Sequence, residues 1–235
     1  IDRSNQNCKK TIVSIFVNPK QFNSKKDFKS YPINLNRDIR VLKKTKKVDF
    51  LYIPKFKDIY DNEDKSKIKI KNKDKILCAK FRKGHFNGVL EVMERFTNLI
   101  NPKKIFMGKK DFQQYFLIKN YLKNRYNTSI VPCPTIRGEN KIALSSRNNL
   151  LNKNNIKKAS LFSKNLIKLK KNLANNKKIK QSLKKQIKYF EKLLDIKIEY
   201  LELRKIKNLK LSNSIKNSRL FVAYYINNVR LIDNF

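Results

Sequence analysis

The chain has 235 residues, 40% of them hydrophobic and 11% aromatic, which excludes a disordered polymer and suits one large or two small domains with a core. Its formal net charge of +39 raises the question of a nucleic-acid partner. Lysine, asparagine and isoleucine are abundant throughout, with 4 Gly, 1 His and no Trp, and the lysines are not gathered into one arm, so a bias toward A/T-rich codons accounts for the charge more simply than polynucleotide binding.

The three cysteines, Cys8, Cys78 and Cys133, are odd in number and too far apart for a zinc site or a disulfide framework. They read as buried or incidental thiols in a reducing compartment. No apolar run approaches the length of a membrane span and no signal peptide is visible, so a soluble cytoplasmic protein with no membrane partner is expected.

TIVSIFV (11–17) is nearly continuous and apolar, which predicts a strand covered on both faces and ended by Asn18-Pro19. Leu35, Ile39 and Leu42 have helical spacing, and VDFLYIP (48–54) returns to strand. The charged segment 61–75 has no apolar period and reads as a solvated excursion. Val89, Met93, Phe96 and Ile100 mark a helix closed by Asn101-Pro102. Ile105 to Met107 is a short strand that stops at Gly108, residues 112–122 form a helix, and Ile130-Val131 is one more strand. Strands alternating with helices imply βαβ units and a mostly parallel sheet, which binds ligands at the carboxyl ends of its strands. Asn18 to Gln21 and Gly108 to Asp111 each sit just past a strand and are expected to face one crevice.

After LSSRN (144–148) the character changes. Phe162, Leu166, Leu169 and Leu173 form one helical stripe, and Ile179, Leu183, Ile187, Phe190 and Leu194 another. IKIEYLEL (196–203) alternates and then drifts in phase, and RLFVAYYINNVRLIDN (219–234) reads as two strands around a turn at Asn227-Asn228. The expected architecture is α/β, with one domain over residues 1–143 and a small α+β domain over 144–235.

Four stretches stand out: SIFVNPKQF (14–22), FRKGHF (81–86), GKKDFQQ (108–114) and LSSRN (144–148). Singly, each has a plain structural reading. Asp111 could cap the helix that follows it, Ser145-Ser146-Arg147 could open one, and His85 could be an ordinary loop residue. Together, in this order and followed by a terminal RLIDN, they cover residues 12–234 and resemble the pantoate–β-alanine ligase family. The resemblance implies a Rossmann-like, nucleotide-binding parallel-sheet domain followed by the small α+β domain. It also implies ATP-dependent condensation of pantoate with β-alanine through an enzyme-bound pantoyl adenylate, releasing AMP and pyrophosphate, with Mg2+ accompanying ATP.

By the same match, Gly108, Lys109, Lys110, Asp111, Ile136, Leu144, Ser145, Ser146 and Arg147 line the ATP site. Gln21 and Gln114 hold pantoate with Asn18 assisting, and Gln21 also meets β-alanine. Arg82 and His85 support the site, Asp38 matches an acidic position near magnesium, and Asn23 to Ile33 corresponds to a mobile gate that would shield the adenylate from water. The family also implies a homodimer through the nucleotide-binding domain.

The residue types suit this chemistry. A carboxylate attacking the α-phosphorus of ATP brings two anions together, and cations placed in advance offset the repulsion. Lys110 offers a mobile point charge and Arg147 a planar fork for two oxygens. Ser145 and Ser146 can donate to non-bridging oxygens. The carboxamides of Gln21 and Gln114 donate and accept at once, as reading a dihydroxy acid requires. The amine attack that follows can draw its rate from positioning, so no general base is assigned. The geometry expected is that Gln21, Gln114, Lys110 and Arg147 share one hollow.

The sequence departs from the family's pattern in places. Lys109 replaces an acid, Arg82-Lys83-Gly84-His85 replaces Arg-Pro-Gly-His, and Arg37 replaces the acid before Asp38. The family's first strand and its His-x-Gly-His signature, whose histidines contact ATP phosphates, belong upstream of Ile1. The polypeptide as printed is therefore expected to be a fragment with little or no ligase activity of its own. Two other functions compete. A basic nucleic-acid-binding protein on a nucleotide-binding fold is suggested by the interleaved aromatic and basic residues of YFLIKNYLKNRY (115–126), whose plain reading is a helix burying Phe116 and Leu122. A related nucleotidyl transferase with another acid substrate is opposed by the Gln21 and Gln114 pair.

Overall fold

In the computed structural model, which describes residues 1–60, 68–175 and 178–235, the chain divides into two units, Ile1–Cys133 and Pro134–Phe235. The first unit runs α1 (Asp2–Asn7), β1 (Ile12–Ser14), α2 (Lys25–Lys29), α3 (Leu35–Thr45), β2 (Phe50–Tyr52), α4 (Phe56–Ile59), α5 (Cys78–Phe81), α6 (His85–Ile100), β3 (Lys104–Gly108), α7 (Phe112–Leu122) and β4 (Ser129–Cys133). The second runs α8 (Lys153–Asn172), α9 (Ile179–Leu194), β5 (Lys197–Lys205), β6 (Ser218–Ile226) and β7 (Val229–Asn234). Parallel strands joined through helices and a separate antiparallel sheet make this the α/β class expected. Among the described residues, no helix is long and apolar enough to cross a membrane.

Two features of the first unit differ from the sequence reading. The parallel strands form two pairs, β1 with β2 and β3 with β4. β1 and β3 both line an apolar cavity of about 950 Å³, together with Phe50, Met93, Phe96 and Ile100. The strand expected to be covered on both faces is also shorter and more open, since the ladder spans only Ile12–Ser14 and Ile12 is 39% exposed. Ile12 and Phe50 stay partly open because they border that cavity. Of the segment 61–75, residues 61–67 lie outside the described residues. The rest is largely exposed, as expected, and is anchored at two points: Ile70 N donates to Asn87 Oδ1, and Gln113 Nε2 donates to the carbonyls of Asp74 and Ile76.

α6 is the spine of the first unit. Gly84 precedes it at φ 80°, a backbone conformation that explains a glycine in the Arg-Lys-Gly-His turn. Phe86, Val89, Leu90 and Val92 are buried, and Phe96 meets Phe16 and Tyr52 edge-to-face. Asn101 ends the helix in the left-handed region, its N–H donating to Thr97 O at 2.8 Å, where the Asn-Pro pair was expected to close it.

In the second unit, α8 and α9 bury both predicted stripes against the β5–β6–β7 sheet, with Phe162, Leu166, Leu183, Phe190, Val222 and Ile226 in one core. The phase drift read in 196–203 has a physical cause: the β5–β6 register shifts between Ile198 and Tyr200, and such a bulge exchanges the faces of the residues beyond it. The hairpin turn falls at Asn227-Asn228, with Asn227 at φ 51°.

The terminal RLIDN stretch is structural. Asp233 takes a two-pronged pair from Arg137, with Nη1 donating to Oδ2 at 2.6 Å and Nη2 to Oδ1 at 2.8 Å. This pins residues 137–143, themselves bridged from Arg137 to Ala143, onto β7. Removing one partner of a fully buried pair costs about 3–5 kcal/mol. Because the Arg137 side chain is 20% exposed, Asp233→Asn is expected to cost about 2 kcal/mol in urea denaturation. A loss below about 0.5 kcal/mol would show that the strap is not held by this pair.

Candidate active site

The segment after β1 is built to hold one conformation. Asn18 is 2% exposed, and its carboxamide is committed at both ends: Nδ2 donates to Gly88 O at 3.1 Å and Oδ1 accepts from Lys20 N at 3.1 Å. Pro19–Gln21 then forms one 3-10 turn packed on α6. The packing is close because residue 88 is glycine; a Cβ there would lie 2.4 Å from Lys20 O and 2.8 Å from Lys20 C.

Gln21 is gripped by its carbonyl oxygen, which accepts from His85 Nδ1 at 2.6 Å and from Arg82 Nη2 at 3.2 Å. A carbonyl can only accept and a guanidinium can only donate. The contact of Arg82 Nη1 with His85 Nε2 at 2.9 Å therefore requires the neutral imidazole protonated at Nδ1. Arg82 and His85 thus act in this structure as braces for the Gln21 backbone. Among the described residues, the Gln21 side-chain amide makes no hydrogen bond, and the residue is half-buried.

The segment 23–33, expected as a gate from the resemblance, begins at this brace. Asn23 Nδ2 donates to Lys83 O at 2.7 Å, and Phe22 packs edge-to-face on Phe28 and Tyr31, with ring centroids 5.2 and 5.4 Å away.

Past β3, Gly108 leads into a 3-10 turn over Lys109–Asp111 and then α7. Asp111 occupies the N-cap position of α7 without a capping hydrogen bond from its side chain, so the plain capping reading of that aspartate fails. Its carboxylate is half-exposed, 3.9 Å from Lys110 Nζ. The two adjacent glutamines have different fates. Gln113 is buried and holds two backbone carbonyls, whereas Gln114 is half-buried with no hydrogen bond from its side chain among the described residues.

In the second unit, Ile136 and Leu144 are 64% and 58% exposed. Ser145 caps the 3-10 turn Ser146–Leu150, its side chain accepting from Arg147 N at 3.3 Å, and Arg147 Nη1 donates to Arg230 O at 3.4 Å. Asp38 is an exposed carboxylate near the start of α3. Among the described residues, no group of three or more His, Cys, Asp or Glu could hold a metal ion.

The structure therefore brings Asn18, Gln21, Arg82 and His85 into one hydrogen-bonded cluster and places Gly108 to Asp111 and Gln114 at the head of α7, which packs on α6. Sequence reasoning missed Gly88, Lys20, Glu91 and Gln113. Only Gly88 left a signal, as an isolated glycine within a helical pattern.

The sequence model of pantoate–β-alanine ligase matches residues 1–235. The chain belongs to the pantoate–β-alanine ligase family. A pantothenate synthetase of Flavobacterium psychrophilum is 36% identical over 234 residues, covering 97% of this chain and 83% of its own length. A bifunctional pantoate ligase/cytidylate kinase of Prochlorococcus marinus is 39% identical over 97% of this chain and 45% of its own length. Among solved structures, the pantoate–β-alanine ligase of Francisella tularensis, complexed with βγ-ATP and β-alanine, superposes with a TM-score of 0.84 at 35% identity, covering 100% of this chain and 82% of that one. The pantothenate synthetase of Thermus thermophilus superposes with a TM-score of 0.86 at 27% identity, covering 100% and 86%.

The nucleic-acid alternative finds no support. Tyr115, Leu117, Ile118 and Leu122 of α7 are buried, and Lys119 and Arg125 lie over the rings of Tyr115 and Tyr121. These aromatic faces are therefore not laid out as a platform for stacking bases.

Proposed function

We propose that this member of the pantoate–β-alanine ligase family joins pantoate to β-alanine at the expense of ATP. The pantoate carboxylate attacks the α-phosphorus, pyrophosphate leaves, and the amine of β-alanine then attacks the acyl carbonyl as AMP departs. The observation that carries the reading is the contrast among the amides. Asn18 and Gln113 are committed to the fold, while Gln21 and Gln114, the two assigned to pantoate, keep their carboxamides clear of it on firmly held backbone. Gln21 also serves β-alanine, and Asn18 assists by shaping the loop.

For ATP, the family match assigns Gly108, Lys109, Lys110 and Asp111 past β3, and Ile136 with Leu144, Ser145, Ser146 and Arg147 in the later part of the chain. A Cβ at Gly108 would meet no protein atom within 4 Å, and its φ of −67° suits any residue, so the fold itself has no use for glycine there. The open space beside Gly108 is consistent with a close approach of ATP to the backbone there. Ile136 and Leu144 offer apolar surface suited to a base.

Magnesium keeps several waters and is bound through substrate phosphates with one or two carboxylates. Exposed single carboxylates fit that donor set, with Asp38 the family-matched candidate. When bound, the ion would neutralise phosphate charge. The family resemblance further supports a Rossmann-like first domain within 1–143, a homodimer and a cytoplasmic location.

Titration calorimetry tests the reading. Gln21→Ala and Gln114→Ala are each expected to weaken pantoate binding at least tenfold, about 1.4 kcal/mol, while ATP affinity stays within about threefold. Pantoate binding that survives both replacements would sink it.

A further inference from the structure

A buried charge sits behind the Gln21 loop. Glu91, on α6, is 7% exposed, and its Oε1 accepts from Lys20 Nζ at 2.7 Å. Arg95 Nη2 approaches the same oxygen at 3.6 Å from the next turn of the helix. The Lys20 ammonium also lies 3.9 Å from the ring centroid of Tyr60, and the Arg95 guanidinium 5.0 Å from it. Burial, then the Glu91 carboxylate, raises the Tyr60 phenol, so this ring stays neutral beneath the two cations.

Stability alone is a poor reason for such an arrangement, because well-packed apolar residues commonly do as well as a buried ion pair. What the pair adds is direction. Lys20 immediately precedes Gln21, its N–H is held by Asn18, and its carbonyl lies against Gly88. The Gln21 carbonyl is braced from the other side by His85 and Arg82. The side-chain anchor is a further restraint on the turn that aims the Gln21 carboxamide.

We propose that Lys20 and Glu91 are positioning residues for pantoate, their ion pair holding the Pro19–Gln21 turn in the orientation that presents the Gln21 amide. This deepens the function proposed above and rests on it.

The test is titration of the protein with pantoate and, separately, with ATP, for the parent and for Glu91→Gln, Lys20→Met and Lys20→Arg, each checked for folding by circular dichroism. Glu91→Gln and Lys20→Met are expected to weaken pantoate about tenfold with ATP affinity within about twofold, and Lys20→Arg, which keeps the charge, to stay within about threefold of the parent. Should Glu91→Gln fail to fold, Lys20→Met decides the matter, since that side chain is 36% exposed and belongs to the turn rather than to α6. Unchanged pantoate affinity in the single variants, or equal losses for both ligands, overturns the proposal in favour of a merely structural pair. A parent protein that binds ATP but no pantoate overturns the functional reading as well, and so separates the two failures.

Discussion

Gly88→Ala is expected to lower pantoate affinity on the order of 10²-fold while leaving the protein folded. The added Cβ would stand 2.4 Å from the carbonyl oxygen of Lys20 and 2.8 Å from its carbon. Both are backbone atoms, so no side-chain rotation relieves the clash, and the turn must retreat by about 1 Å to reach ordinary contact. The turn is short and held at both ends, by Asn18 on α6 and by the His85–Arg82 brace on Gln21. Its retreat therefore shifts the Gln21 carboxamide. Overpacking costs about 1–3 kcal/mol, and the gain in helix propensity from Gly to Ala returns about 1 kcal/mol, so net stability should change little. Binding and stability are thus expected to separate. A variant that binds pantoate like the parent would show that the close approach does not govern the loop.

Phe162→Ala is expected to be the most destabilising of the single changes considered, at about 3–5 kcal/mol. Phe162 is 0% exposed, and its ring packs edge-to-face on Phe190 at 5.3 Å and on Tyr224 at 4.7 Å, linking α8 to α9 and to β6. Truncation leaves a cavity among rigid neighbours that belong to three different elements, so collapse around it is limited. A native domain has only about 5–15 kcal/mol of stability, so a substantial part of it is at stake. Urea denaturation followed by circular dichroism in the far ultraviolet measures the effect, since the chain has no tryptophan to report it. A loss under about 1 kcal/mol would mean that the three elements do not depend on this ring.

Much of the fold is legible in the sequence. The stripes of α8 and α9 and the Asn-Asn hairpin were visible because apolar period and turn chemistry are local properties. The strand read over 11–17 was less successful. Apolarity showed that Ile12 to Val17 avoids water in some context, but the β1–β2 ladder closes only three residue pairs, and Ile12 borders an open cavity. Periodicity also cannot anticipate a bulge, and the drift after Ile198 has its cause in the pairing of β5 with β6.

The residue types by themselves marked out an α/β chain, two loops past strand ends and the family to which those loops belong. Which amides are available to a ligand was a tertiary decision: Asn18 and Gln113 look as suitable as Gln21 and Gln114 on paper, and only packing shows that the first two hold backbone. The Lys20–Glu91 and Arg137–Asp233 pairs join residues 71 and 96 positions apart, and Gly88 matters only because Lys20 lies against it. A local pattern reports that a face is buried. What lies against it depends on chain closure over long separations, which no short stretch encodes by itself.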